Sequence, residues 1–227
     1  MSRVFCIPGI IILFGAFVLN LLVSLSLPYL TDIDITRAHF NESVVSVNTD
    51  IRSIRLGVWS ACEYNANDTK TCYPARNAYS VSISETDSNN TKESITIGSA
   101  WTRGLAIHPV AAGVTFVALL SSFSTHITVT LISSLLSFFG ALVTLIAFAV
   151  DIALFVYFRH EASRLNAGSD TKPGPGFWMT LVAFILLLLA GCTVCFGRRR
   201  QRMSSAAYQT TAPKTPFWSR FRRNKQF

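Results

Sequence analysis

Few residues in this chain have chemistry to offer. Asp151 is a carboxylate inside a long apolar run, Cys62 and Cys72 lie in a polar segment, and Cys192 and Cys195 are spaced as C-x-x-C. The histidines, at positions 39, 108, 126 and 160, are too scattered to propose a metal site. A carboxylate within a membrane span costs about 3 kcal/mol on insertion scales and is a functional candidate by default. Two readings of Asp151 stand: a proton-sensing group, or a structural cap bonded to a neighbouring helix or placed near the interface. The C-x-x-C pair lacks the second pair that zinc needs and the context that thiol redox chemistry needs. No Gly-x-Ser-x-Gly, phosphate-binding glycine loop or His-Glu-x-x-His is present, so the motifs that would carry hydrolysis or phosphoryl transfer are missing. The expectation is a protein that is not an enzyme and uses no cofactor or metal.

The frame that must position these residues is apolar. Half of the 227 residues are hydrophobic and 14% are charged, against about a quarter charged in soluble domains. Val4–Thr31, Gly104–Val150 and Pro173–Gly197 contain no Asp, Glu, Lys or Arg. A bilayer core needs roughly 20 apolar residues in a helix. These stretches therefore hold one, two and one spans, and the expected fold class is a membrane α-helical bundle of four transmembrane helices.

The organisation follows. Residues 1–30 are the first transmembrane helix. Residues 31–104 form an extracellular β-rich loop. Residues 105–158 hold the second and third helices, 159–176 a short extracellular loop, 177–197 the fourth helix and 198–227 a basic cytoplasmic tail. The first segment could instead be a cleaved signal peptide, with Ser24 and Ser26 small enough for a cleavage site, but its apolar core is longer than usual. Pro173-Gly-Pro-Gly176 breaks any helix before the last span. In the loop, Tyr79–Ile83 and Ile54–Val58 alternate apolar and polar residues, as half-buried strands do. Val44–Val47 and Ile95–Ile97 are shorter candidates. Three to five short strands in one antiparallel sheet are expected.

Charge sets the orientation. Residues 198–227 carry nine Lys or Arg and no acid, whereas 31–104 is slightly acidic. Basic residues abutting an apolar helix mark the cytoplasmic face, so both termini are expected inside and the large loop outside. Three sequons, at Asn41, Asn67 and Asn89, fall in that loop and none elsewhere; they are candidate N-glycosylation sites. Cys62 and Cys72 are the only cysteines on that side. A disulfide between them is expected to remove unfolded-state entropy worth about 3 kcal/mol and to staple a sheet with little core of its own. Trp59 would pack beside it or dip toward the headgroups. Cys192 and Cys195, before Gly197-Arg-Arg-Arg200, are palmitoylation candidates or plain buried thiols. The aromatic and basic residues of the Arg198–Lys225 tail suit contact with anionic lipid rather than nucleic acid.

Gly57-Val58-Trp59 followed by Cys62 and Cys72, in the first outer loop of a four-span chain, resembles the tryptophan–cysteine–cysteine signature of the claudin superfamily. More closely, it resembles the fungal Sur/PalI family. His108-Pro109-Val-Ala-Ala-Gly113 is similar to a run at the second span of PalI-type proteins, and the stretch from Asp151 to Phe155 is similar to that family's intramembrane acidic stretch. The resemblance covers about residues 1–200; many PalI proteins continue into a long hydrophilic tail, and here thirty residues, 198–227, follow the last span. It implies a claudin-like fold and a plasma-membrane accessory protein that assists a multispan sensor in ambient, alkaline-pH signalling. The alternative it implies is a Sur-type, eisosome-associated organiser of cortical membrane domains. A third class, a transporter or channel subunit, is disfavoured because Asp151 is the only acid in any span. The expected partners are the lipid bilayer and another multispan membrane protein.

Overall fold

The computed structural model describes residues 7–211 except 47–48, 68, 87–91, 125–126 and 165–168. Helix α1 (Ile7–Ser24) is followed by six strands: β1 (Thr36–Ser46), β2 (Thr49–Leu56), β3 (Ala61–Tyr64), β4 (Lys70–Cys72), β5 (Val81–Thr86) and β6 (Lys92–Ile97). A short helix α2 (Ser99–Arg103) and one 3-10 turn lead into α3 (Ile107–Ser122). Helix α4 (Ile127–Ala162), strand β7 (Ser169–Pro173) and helix α5 (Pro175–Thr211) complete the order.

The four long helices form a ring. Helix α3 lies against α1 and α4, and α5 lies against the same two helices from the other side. Outward positions are large and apolar, among them Ile11, Phe14, Phe116, Leu120, Leu135, Phe139, Val182 and Ile185. Inward positions include polar side chains: Asn20, Thr115, Ser137, Thr144 and Thr180 are buried. This inverts the pattern of a water-soluble bundle and matches helices that bury small and polar groups while facing lipid. Three helical stretches, Ser99–Ser122, Leu131–Ala162 and Pro175–Thr193, are long and apolar enough to cross a membrane, and Pro8–Ser24 is a shorter apolar helix. The chain is thus a membrane-type helical protein carrying a small antiparallel sheet.

Small residues permit close helix contact at some positions and not at others. Ala111, Ala112 and Ala141 are buried, and a Cβ on Gly140 would lie 3.4 Å from Thr115 and 3.5 Å from Val114 of α3. Gly113 has nothing within 4 Å and plays no such part.

The sheet runs β4-β3-β2-β1-β5-β6, every pairing antiparallel, with β7 also paired to β1. The long β1 is its spine. One edge of β1 carries β2; the other carries β7 along Thr36–Phe40 and β5 at Val45. Alternation puts Ala38, Phe40, Ile54, Leu56, Val81, Ile83, Ile95 and Ile97 into one core with Val23, Leu105, Leu154 and Phe158 from the helices. At about 1.5–3 kcal/mol for each large buried apolar side chain, this shared core binds the sheet to the ring.

The sheet has more strands than the alternating pattern predicts. The short β3 and β4 are joined by the Cys62–Cys72 bridge, and β7 reads Ser-Asp-Thr-Lys-Pro, without apolar alternation. The 159–176 segment is therefore part of the sheet rather than a plain loop. Other limits shift too. Helix α4 extends to Ala162 because its last turns, with Phe158 and Ala162, support the sheet core; its 36 residues reach about 54 Å, beyond the ~30 Å of a hydrocarbon core. Helix α5 continues past Gly197 to Thr211, since Arg198–Thr211 contains no glycine or proline until Pro213.

Candidate functional site at the junction of sheet and helices

The Gly57-Val58-Trp59 signature docks on the end of α1. Trp59 Nε1–H donates to the Ser24 carbonyl at 2.7 Å, one of the helix-end carbonyls that have no intrahelical partner. The Val58 N–H donates to Ser26 Oγ at 2.9 Å. Gly57 is backbone only for a steric reason: a Cβ there would lie 2.6 Å from Leu27 Cβ and 2.9 Å from Leu27 N. The Gly57 carbonyl accepts the Tyr79 hydroxyl at 2.7 Å, and Thr102 Oγ1 donates to the Tyr79 carbonyl at 2.6 Å. One largely buried set of bonds thus joins α1, the β2–β3 turn, the approach to β5 and α2. Burial raises the Tyr79 hydroxyl pKa far above its ordinary value, which keeps it a donor.

The disulfide is present between Cys62 and Cys72, directly opposed in the β3–β4 ladder. Beside it, Tyr73 donates its hydroxyl to the buried Glu63 at 2.6 Å.

His108 and Asp151, separate features in the sequence, form a pair. His108 Nε2 lies 3.0 Å from Asp151 Oδ1, with both side chains buried. Pro109 follows in the first turn of α3, where a missing N–H is not needed. The pair is one rung of a zipper between α4 and the continuous stretch from α2 through the 3-10 turn to α3. Trp101 stacks on Tyr157 with ring centroids 4.2 Å apart, a Cβ on Gly104 would meet Val150 at 2.9 Å, and Ser133 Oγ donates to the Ala118 carbonyl at 3.0 Å. The second oxygen, Asp151 Oδ2, has no hydrogen-bond partner among the described residues. Asp151 therefore acts through His108: a buried pair holds α3 to α4 roughly two turns below the Trp101–Tyr157 stack.

A third tie lies at β7. Buried Asp34 takes Arg37 bidentately, at 2.6 and 3.0 Å, and this hydrogen bonding raises the Arg37 pKa further. Gly174 and Gly176 donate their N–H groups to the Ile35 and Asp34 carbonyls at 2.8 and 2.9 Å. A Cβ on Gly174 would overlap the Asp34 carbonyl. Pro173-Gly-Pro-Gly176 thus does more than stop a helix: its glycines let α5 begin against Asp34, with Pro175 in the first turn.

Of the remaining sequence-predicted residues, Asn67 is exposed in the β3–β4 turn. Asn41 lies within β1 and Asn89 outside the described residues. Cys192 is a free, half-buried thiol near the far end of the bundle; the Cys195 side chain lies outside what is described. Sequence reasoning missed Leu27, Asp34 and the role of Tyr79. A close approach to backbone, as at Leu27, or a bond to a carbonyl, as at Tyr79, leaves no pattern in the sequence.

Two comparisons complete the site. The sequence model of the SUR7/PalI family matches residues 5–192, which takes in the docking motif, the disulfide and the His108–Asp151 pair. No curated protein matches the chain.

Proposed function

The chain belongs to the SUR7/PalI family, and from that premise we propose that it is a four-span plasma-membrane accessory protein, with both termini cytoplasmic and the sheet outside. It assists a larger multispan sensor in ambient, alkaline-pH signalling by lateral helix contact and contact through the sheet. It has no catalytic step, cofactor or nucleic-acid partner in this role. The observation that carries the reading is the ring of outward apolar residues closed at one end by a sheet. Exposed Tyr29 just after α1, Trp101 in α2 and Trp178 in the first turn of α5 flank the sheet in sequence, as aromatic residues do at a membrane interface. Past its apolar stretch, α5 carries Arg198-Arg199-Arg200, which suits a cytoplasmic leaflet and anionic lipid.

The test is to delete the gene, then measure growth at alkaline pH and the surface fraction of the multispan sensor. Both are expected to fall, and the sensor is expected to co-purify with the tagged protein from membranes. Unchanged growth and unchanged surface fraction would sink the pH role. Stable cortical patches that persist without the sensor would favour the organiser of membrane domains instead.

A further inference from the structure

We infer that Asn67 carries an N-linked glycan whose structural role is to cover the open edge of β4. The inference rests on the proposed placement of the sheet outside the membrane. Three observations lead to it. First, Asn67-Asp68-Thr69 is a sequon, and a sequon is used where the chain is exposed to the secretory lumen. Second, Ala66, Asn67 and Thr69 are exposed in the turn between β3 and β4. The turn is closed by the Asn65 N–H bond to the Thr69 carbonyl at 3.1 Å and held at its base by Cys62–Cys72. A glycan there leaves the fold undisturbed.

Third, among the described residues β4 ends the sheet. The bonds Asn65 N–H to Thr69 and Tyr73 N–H to Ala61, with the Cys62–Cys72, Glu63–Thr71 and Tyr64–Lys70 register, fix the phase of the ladder. Alternation of bonded and non-bonded pairs then turns the N–H and carbonyl groups of Lys70 and Cys72 away from β3. An open edge of this kind invites pairing with another chain. Lys70 is a partial guard. A branched, hydrated sugar chain anchored three residues away guards it sterically.

The experiment uses the full-length protein expressed through a secretory pathway. Endoglycosidase treatment is expected to shift the wild-type band by one step that both Asn67→Gln and Thr69→Ala lack; the second variant leaves Asn67 itself in place. Asn67→Gln is expected to show more intermolecular cross-linking than wild type. Adding Lys70→Pro, which removes an edge N–H without touching a ladder bond, is expected to reverse that increase. An Asn67→Gln protein that loses no step relative to wild type, or cross-linking that does not rise, overturns the inference. If no sequon is used yet Cys62 and Cys72 resist alkylation until reduced, the glycan fails while the outside placement stands. If both cysteines alkylate without reduction, the placement itself fails.

Discussion

The Trp59 indole donates to the Ser24 carbonyl at 2.7 Å. The bond joins the most conspicuous motif of the polar segment to the last turn of the first apolar helix. Ser24 and Ser26, which the sequence offers as a signal-peptide cleavage site, are buried under Val58 and Trp59 instead. Helix α1 is therefore part of the sheet's foundation. The signature's Gly57 provides the close approach, its Val58 N–H and Trp59 ring provide the bonds, and the Tyr79 hydroxyl holds the turn from behind.

Gly57→Ala is expected to destabilise the folded protein by about 1–3 kcal/mol, as forced overpacking does, because its Cβ would lie 2.6 Å from Leu27 Cβ. Gly98→Ala is the control, since nothing lies within 4 Å of its Cβ position. Thermal unfolding of both variants in detergent checks this. Equal midpoints for the two would show that the motif is not seated on Leu27.

His108→Leu leaves Asp151 buried with neither oxygen paired among the described residues, a loss of about 1–3 kcal/mol. The double variant His108→Leu/Asp151→Leu is expected to recover most of that, since well-packed apolar residues can replace a buried polar pair. Denaturation of the two single variants and the double closes the cycle. Purely additive losses would mean that the two residues do not act as a pair.

The stability of the sheet is expected to fall in strong alkali. The Tyr79 hydroxyl has an ordinary pKa of 10.0, raised in the fold by burial. A raised folded value means that its contribution is complete below 10.0 and declines as pH climbs above it, because the unfolded chain ionises first. Tyr79→Phe should lose about 1 kcal/mol at neutral pH and flatten that alkaline decline. An unfolding midpoint measured from pH 7 to 11 decides. An identical alkaline slope in the variant would remove Tyr79 as its source.

Replacing Cys62 and Cys72 together with serine is expected to cost about 3 kcal/mol through unfolded-state entropy. Loss of export should precede any signalling defect. Normal surface levels with defective signalling would assign the bridge a direct role.

Much of this arrangement was legible in the sequence, for reasons particular to each part. Three long uncharged runs can be satisfied in few ways, so α3 and the start of α5 fall close to their expected limits, while the ends of α4 and α5 run past theirs. Alternation in Ile54–Val58 and Tyr79–Ile83 marks β2 and β5, which have one buried face. Strands β3, β4 and β7 are hidden because their stability comes from outside themselves: a disulfide for the first two, and pairing with β1 for the third. His108 and Asp151 each stood out as polar residues in apolar surroundings. Their pairing did not, because a separation of 43 residues carries no periodic signal. The seat of Trp59 was hidden for the same reason: its acceptor is a backbone carbonyl, present at every residue.

The central claim is that α1 is retained because the Gly57–Trp59 motif is built on its last turn. Mass spectrometry of the intact mature protein, purified from membranes and deglycosylated, tests this most directly. The account predicts a single chain whose mass includes α1 through Ser24. A mature chain beginning at or near Leu27, still carrying the Cys62–Cys72 bridge, would contradict it.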